Sequence, residues 1–360
     1  MQLLSIQYLR AIAAIMVVAY HVGFKFGADW TIGQAGVHIF FVISGFLMWL
    51  VTFGREITPA RFMVQRIIRI VPLYWIITLL VAAAAIARPN LFHEQPIPSH
   101  LLQSLLFVPH LSPTGETFPL LIQGWTVDYE MFFYLLFALT LFLPRRFLLP
   151  GFSLAIGALV VAGEVLAPAN PIARVYTSHL LFEFLAGVWL GSAFSAGRIL
   201  GARLAMILLA GGVAALVGSI WILDLPIDRT ITWGIPSLAI LAGAIALETH
   251  KFVPRLPWLK LLGDASYSIY LSHTAAIVIG AYALHEIGLG RPGTEAAVAQ
   301  GLLIGPTTSP IMGIGLYLFL LLFCVAGGVL CHWLIERPVT NFIRSRMAAP
   351  AEKVKAYQPG

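Results

Sequence analysis

The chain has 360 residues, of which 59% are hydrophobic and only 11% charged, with a mean hydropathy of +0.88. Soluble domains carry about 25% charged residues, so these figures exclude a soluble globular domain and point to an integral membrane protein. The net charge of +6 requires no nucleic-acid partner, because the basic residues sit where the anionic inner leaflet attracts them.

Crossing a hydrocarbon core of about 30 Å takes about 20 apolar residues. In chain order such runs fall near 6–24, 36–53, 68–87, 121–143, 147–167, 178–196, 203–223, 231–248, 264–287 and 310–334. They predict an all-α polytopic membrane protein of about ten transmembrane helices, a single domain over 1–344 followed by a disordered tail over 345–360. The runs are continuous and rich in Leu, Ile, Ala and Phe, whereas the strands of a membrane barrel alternate over about ten residues. The first run has no basic n-region and no small-residue cleavage site, so it is expected to remain as a membrane helix and not to be removed as a signal peptide. Of the 22 Lys and Arg residues, sixteen fall in one set of alternate loops and the C-terminal segment, five in the opposite set, and Arg10 lies inside a run. The positive-inside rule then places both termini in the cytoplasm, with the Pro- and Gly-containing stretches "ARPNLFHEQPIPSH" and "GLGRPGTE" outside. Cys324 and Cys331 share one face of the last run, about 10 Å apart along a helix. That separation is too long for a disulfide. They read as packing residues, and no metal site is suggested.

The ionisable residues inside these runs carry the functional signal, because such groups are costly in a bilayer and favour bundle interiors and functional paths. "YLRAIAAIMVVAYH" places Arg10 and His21 eleven residues apart, about three turns, and so on one face. Arg10 alone reads equally well as an inner-leaflet anchor that snorkels, and His21 as a core histidine bonded to a carbonyl. "GVHIFFVISGFLMW" brings His38 near His21 through a short connection, and its Ser44 and Gly45 allow another helix to approach closely. At the mouth of the third run, "RFMVQRIIRIVPLYW" supplies Arg61, Arg66 and Arg69. Arg66 and Arg69, three apart, face the same way and make a fork for phosphate oxygens, although positive-inside anchoring also accounts for them. "GWTVDYEMFFYLLF" carries Trp125, an interfacial-belt residue, and the carboxylates Asp128 and Glu130. For Glu130 a partner is available in His21, whose tautomer a carboxylate would fix for general-base work. In "GDASYSIYLSH", Tyr267, Tyr270 and His273 recur at helical spacing and face the same interior.

These segments, with the closing "HWLIERPVTNFI", resemble the acyltransferase 3 family of bacterial membrane O-acyltransferases, in the same order over nearly the whole chain. Within it the chain is similar to the branch that acetylates exopolysaccharides, chiefly through "WTVDYEMFFY". The resemblance implies a multi-pass enzyme of the bacterial inner membrane with no bound cofactor. Its co-substrate would be cytoplasmic acyl-CoA, acetyl-CoA foremost, and its partners a carbohydrate acceptor and membrane lipids. It assigns catalysis to His21 and Glu130 and substrate binding to Arg10, Arg66, Arg69 and Trp125. Two departures stand out: His38 occupies a position where relatives often have aspartate, and Phe132 one where many have glutamine. On this reading the arginine pair grips CoA phosphates, the pantetheine arm passes Arg10, and His21, oriented by Glu130, acts as base or as a transient acyl carrier. A glycan transporter or flippase is the competing class, but such folds usually show paired repeats and no second copy of the first motif is present. A non-catalytic scaffold is the third.

Overall fold

The structure, a computed structural model, describes residues 3–26, 30–55, 57–89, 95–222, 225–287, 289 and 310–347. Its elements are α1 (Leu4–Lys25), α2 (Ala35–Thr52), α3 (Pro59–Ala87), α4 (Pro98–Leu105), α5 (Gly124–Thr140), α6 (Arg145–Leu166), α7 (Pro171–Tyr176), α8 (Leu181–Ser195), α9 (Ala202–Gly218), α10 (Ile235–Thr249), α11 (Pro257–Asp264), α12 (Ser266–Glu286), α13 (Pro310–Cys331) and α14 (Arg337–Met347). No strand occurs among the described residues, and the protein is an all-α polytopic membrane protein. Several starts follow local chemistry: Thr58 caps α3 by accepting from Arg61 N at 3.2 Å with Pro59 in its first turn, and Asn170 caps α7 ahead of Pro171.

Every expected apolar run falls on a helix, but not every one is long enough to cross a bilayer. Among the described residues eight helices have the length and apolarity for it, whereas α5 has 17 residues and α8 has 15, about 26 and 22 Å of helix. The longer expectation arose because the apolar flanks Leu121–Ile122 and Leu141–Leu143 lie in turns, not in α5. Both short helices are held by α2 and α6, and α5 packs on α3 as well. Residues 345–347, expected in the tail, continue α14, and the rest of that segment, like most of "GLGRPGTE", lies outside the described residues.

The helices divide into an inner and an outer set. Large apolar side chains on α3, α6, α9 and α13 face outward, among them Leu80, Leu154, Ile207 and Leu322, as expected where lipid replaces a protein neighbour. Inside, aromatic rings join α2, α5 and α8: Phe184 stacks on Phe41 with centroids 4.5 Å apart and on Phe133 at 4.3 Å. α2 and α8 pack backbone to backbone, as the small residues of "SGF" foretell. A Cβ on Gly45 would run into the Phe184 carbonyl, and one on Gly187 into that of Val42.

Candidate active site

α1, which carries Arg10 and His21, is fixed at its start by residues far along the chain. The Glu248 carboxylate of α10 accepts from Leu4 N and Ser5 N at 2.8 Å and from Ser5 Oγ at 2.5 Å, placing an anion on the positive end of the helix dipole. One turn on, Tyr8 Oη donates to Pro254 O at 2.8 Å and accepts from Leu256 N at 2.6 Å. Neither anchor was legible in the sequence, where Glu248 is only a polar residue at the end of an apolar run.

Between α1, α2, α3, α5 and α12 lies a cavity of about 530 Å³, within the range of small-molecule sites. Arg10, Arg66, Arg69 and Arg344 line it against one carboxylate, Glu130, so its charge balance favours an anionic guest. Arg66 lies over the rings of Phe62 and Tyr134, 5.6 and 5.9 Å from their centroids. Its Nε is buried with no acceptor among the described residues, a donor left available to a ligand. Arg10, buried, donates to Gln7 Oε1 at 3.4 Å. The sequence thus brings Arg10, Arg66 and Arg69 to one chamber; it did not point to Arg344, while Arg61 stays exposed outside.

Glu130 does not meet His21. Its carboxylate accepts from Ser44 Oγ at 2.9 Å and, by a short bond, from Tyr134 Oη, one turn along α5. His21 instead donates from Nδ1 to the Val17 carbonyl at 2.9 Å. Since a carbonyl can only accept, the neutral ring carries its proton on Nδ1 and its lone pair on Nε2, which has no protein partner among the described residues. The tautomer that suits a base is therefore set by the backbone of α1 and not by a carboxylate.

His21 is half-buried and packs on His273, ring centroids 4.8 Å apart. His273 is fully engaged: Nδ1 donates to Tyr270 O at 2.6 Å, and Nε2 accepts from Gln123 Nε2 at 3.3 Å. Tyr270 lines the arginine cavity, touches Phe40 at 5.9 Å and shares a hydrogen bond of 2.9 Å with Thr126. The cavity thus reaches the level of Phe40 and Tyr270, and the two histidines lie just beyond these rings. His38 is not part of this group. It is hydrogen-bonded to Glu183 of α8 at 2.5 Å and packs on Trp233 at 5.2 Å, a buried contact that ties α2 to α8.

Trp125 lies on the other side of α5. At helical spacing, Thr126, Glu130 and Tyr134 face the arginine cavity, whereas Trp125, Asp128 and Tyr129 face a second pocket of about 280 Å³. Beyond α7, His179 meets Glu164 at 3.0 Å and Asp228 at 3.1 Å. Burial raises the Asp228 carboxyl, but hydrogen bonds from His179 and Thr230 outweigh it and hold that group below the usual carboxylate value.

A family model described as an acyltransferase domain, acyltransferase 3, matches residues 3–333. The chain belongs to the acyltransferase 3 family. It is accordingly an O-acyltransferase, and membership favours group transfer over the transport and scaffold readings. Among similar proteins of this kind, the exopolysaccharide production protein ExoZ of Rhizobium meliloti is 44% identical over 292 residues, 79% of this chain and 90% of its own length. BcsY of Komagataeibacter xylinus, which carries the provisional name of a membrane-bound transacylase, is 27% identical over 308 residues, 78% of this chain and 74% of its own. The peptidoglycan O-acetyltransferase OatA of Listeria monocytogenes is 27% identical over 217 residues, 54% of this chain and 34% of its own. No solved structure matches the chain.

Proposed function

We propose that this acyltransferase moves an acyl group, acetyl foremost, from cytoplasmic acyl-CoA to a hydroxyl of an exported polysaccharide or its lipid-linked precursor, in the bacterial inner membrane. The observation that carries the donor is the arginine-lined cavity inside the bundle, whose unpartnered Arg66 Nε and surplus of guanidinium groups suit the phosphates of CoA. Support for the acceptor is the likeness to a protein named for exopolysaccharide production. The lopsided distribution of Lys and Arg supports entry of the donor from the cytoplasm.

Arg66 and Arg69 hold the CoA phosphates, and the pantetheine arm extends past Arg10 and between Phe40 and Tyr270 to bring the thioester to His21. His21 Nε2 takes the proton of the acceptor hydroxyl while that oxygen attacks the thioester carbonyl. The C–S bond breaks, and the imidazolium returns its proton to the departing thiolate, so the histidine ends the cycle neutral. A route through a transient acyl-histidine would use the same Nε2 atom. Glu130, bonded to Ser44 and Tyr134, balances part of the arginine charge in the donor chamber instead of orienting the base.

The test is reconstitution of the full chain in vesicles of one orientation, with radiolabelled acetyl-CoA on one face and base-deacylated exopolysaccharide of the host on the other. The expected result is label in the polysaccharide only when acetyl-CoA is on the face bearing Arg66 and Arg69. Absence of label, or label only from the opposite arrangement, would overturn the reading.

A further inference from the structure

The pocket on the far side of α5 has no role in the donor reaction, and its composition differs from that of the arginine cavity. Trp125, Asp128 and Tyr129 form one wall, and His110, Arg174 and Ser178 contribute polar atoms from the preceding loop and from α7 with the residues after it. His110 is already committed, donating to Val108 O at 2.7 Å and bonded to His100 at 2.7 Å. Asp128 is not. It is 4% exposed, lines the pocket, and its Oδ1 is buried with no hydrogen-bond partner among the described residues. A buried carboxyl oxygen without a hydrogen-bond partner is costly, so the pocket calls for a guest that brings donors.

The pocket also continues. Arg174 and Ser178 are shared with a wider space of about 590 Å³ that includes Glu164, His179, Asp228 and Arg229. Acidic and basic groups are mixed along this trough, and Asp128 sits at its deep end, so a phosphate-rich guest is disfavoured. Indole and phenol rings beside a buried side-chain carboxyl suit a pyranose: its C–H face packs on the aromatic wall, and its adjacent hydroxyls hydrogen-bond the carboxyl oxygens.

We propose that this trough holds the acceptor glycan, with Asp128 accepting hydrogen bonds from a glycosyl unit next to the one being acylated and with further units running toward His179. The proposal rests on the reading of the protein as a polysaccharide acyltransferase and adds to it a recognition site separate from the donor chamber. A trough longer than one sugar ring would make the enzyme select oligomers over monosaccharides.

The experiment uses the full chain in lipid nanodiscs, free of sugar-headed detergent. Binding of a ladder of base-deacylated exopolysaccharide oligosaccharides from the host is followed by tryptophan fluorescence, without acyl-CoA. Wild type should bind ladder members of two or more units more tightly than glucose, and Asp128→Asn should weaken that binding about tenfold to a hundredfold while acetyl-CoA binding is unchanged. Arg174→Gln, at an exposed position that cannot unfold the bundle, should weaken it severalfold. Ladder binding that is absent in wild type, or equal to wild type in Arg174→Gln, overturns the proposal; so does equal binding in an Asp128→Asn protein that still binds acetyl-CoA. Binding that obeys these expectations in a protein that transfers no label would support the trough and overturn the reaction. Transfer with an unaltered acceptor KM in both variants would do the reverse.

Discussion

α5 separates two compartments of opposite character with a single layer of backbone. Toward α1 and α3 it presents Glu130 and Tyr134 to four arginines; toward α7 it presents Trp125 and Asp128 to hydroxyl and ring atoms and to a single guanidinium, that of Arg174. The chamber with surplus positive charge suits a polyanion, and the pocket with an unmet acceptor suits a polyol. A transferase has to hold two dissimilar molecules without confusing them, and on the proposed function the sorting would fall to successive residues of one helix pointing in opposite directions.

The comparison can be broken most severely at the residue that belongs to neither compartment. His21→Ala should lower kcat by about 10²- to 10⁴-fold while both KM values stand, read from initial rates of label transfer; near-normal turnover would remove His21 from the chemistry. Next, Arg66→Gln should raise the acyl-CoA KM about tenfold to a hundredfold, the size expected for losing charge-assisted hydrogen bonds, and leave the acceptor KM where it was. A matching rise in both constants would mean that the two compartments are one. Gly45→Ala should affect both sides alike, because its Cβ strikes the Phe184 carbonyl; overpacking of this kind costs about 1–3 kcal/mol, seen as a lower unfolding temperature with unchanged KM values. The smallest effect belongs to Glu248→Gln, which removes the charge and replaces one of the two accepting oxygens at the start of α1 by an NH2 group that cannot accept. A loss of about 0.5–1.5 kcal/mol is expected in thermal unfolding, with a modest fall in kcat and no preference between donor and acceptor.

How much of this was legible in the sequence depends on whether a feature lies along one helix or between two. Periodicity within a helix sufficed to place Arg66 beside Arg69, to put Arg10 and His21 on one face of α1, and to align Tyr267, Tyr270 and His273. The same rule, applied to "WTVDYE", separates Asp128 from Glu130 by about 200° around the axis, although their proximity in the sequence invites reading them together. Contacts between helices were not legible. Glu130 was matched to His21 because both are ionisable and lie in outer halves of their runs, yet the structure gives it Ser44 and Tyr134, and gives His38 to Glu183, 145 residues away. Partner choice of this sort is decided by which helices come within side-chain reach, here by the glycine contact of α2 with α8. The expected lengths of the fourth and sixth spans failed for a related reason, since apolarity does not distinguish a helix end from a greasy turn.

The hold of Glu248 on Leu4 and Ser5 spans more than 240 residues of chain, and it has a bearing on biogenesis. α1 gains this hold only once α10 has been made, and the entropic cost of closing so long a loop grows only slowly with its length. Chains interrupted before position 248 would lack this hold at the start of α1, leaving α1 to pack on α2 alone among its main neighbours. On the proposed function, the final positioning of His21 would therefore be completed late in the synthesis of the molecule.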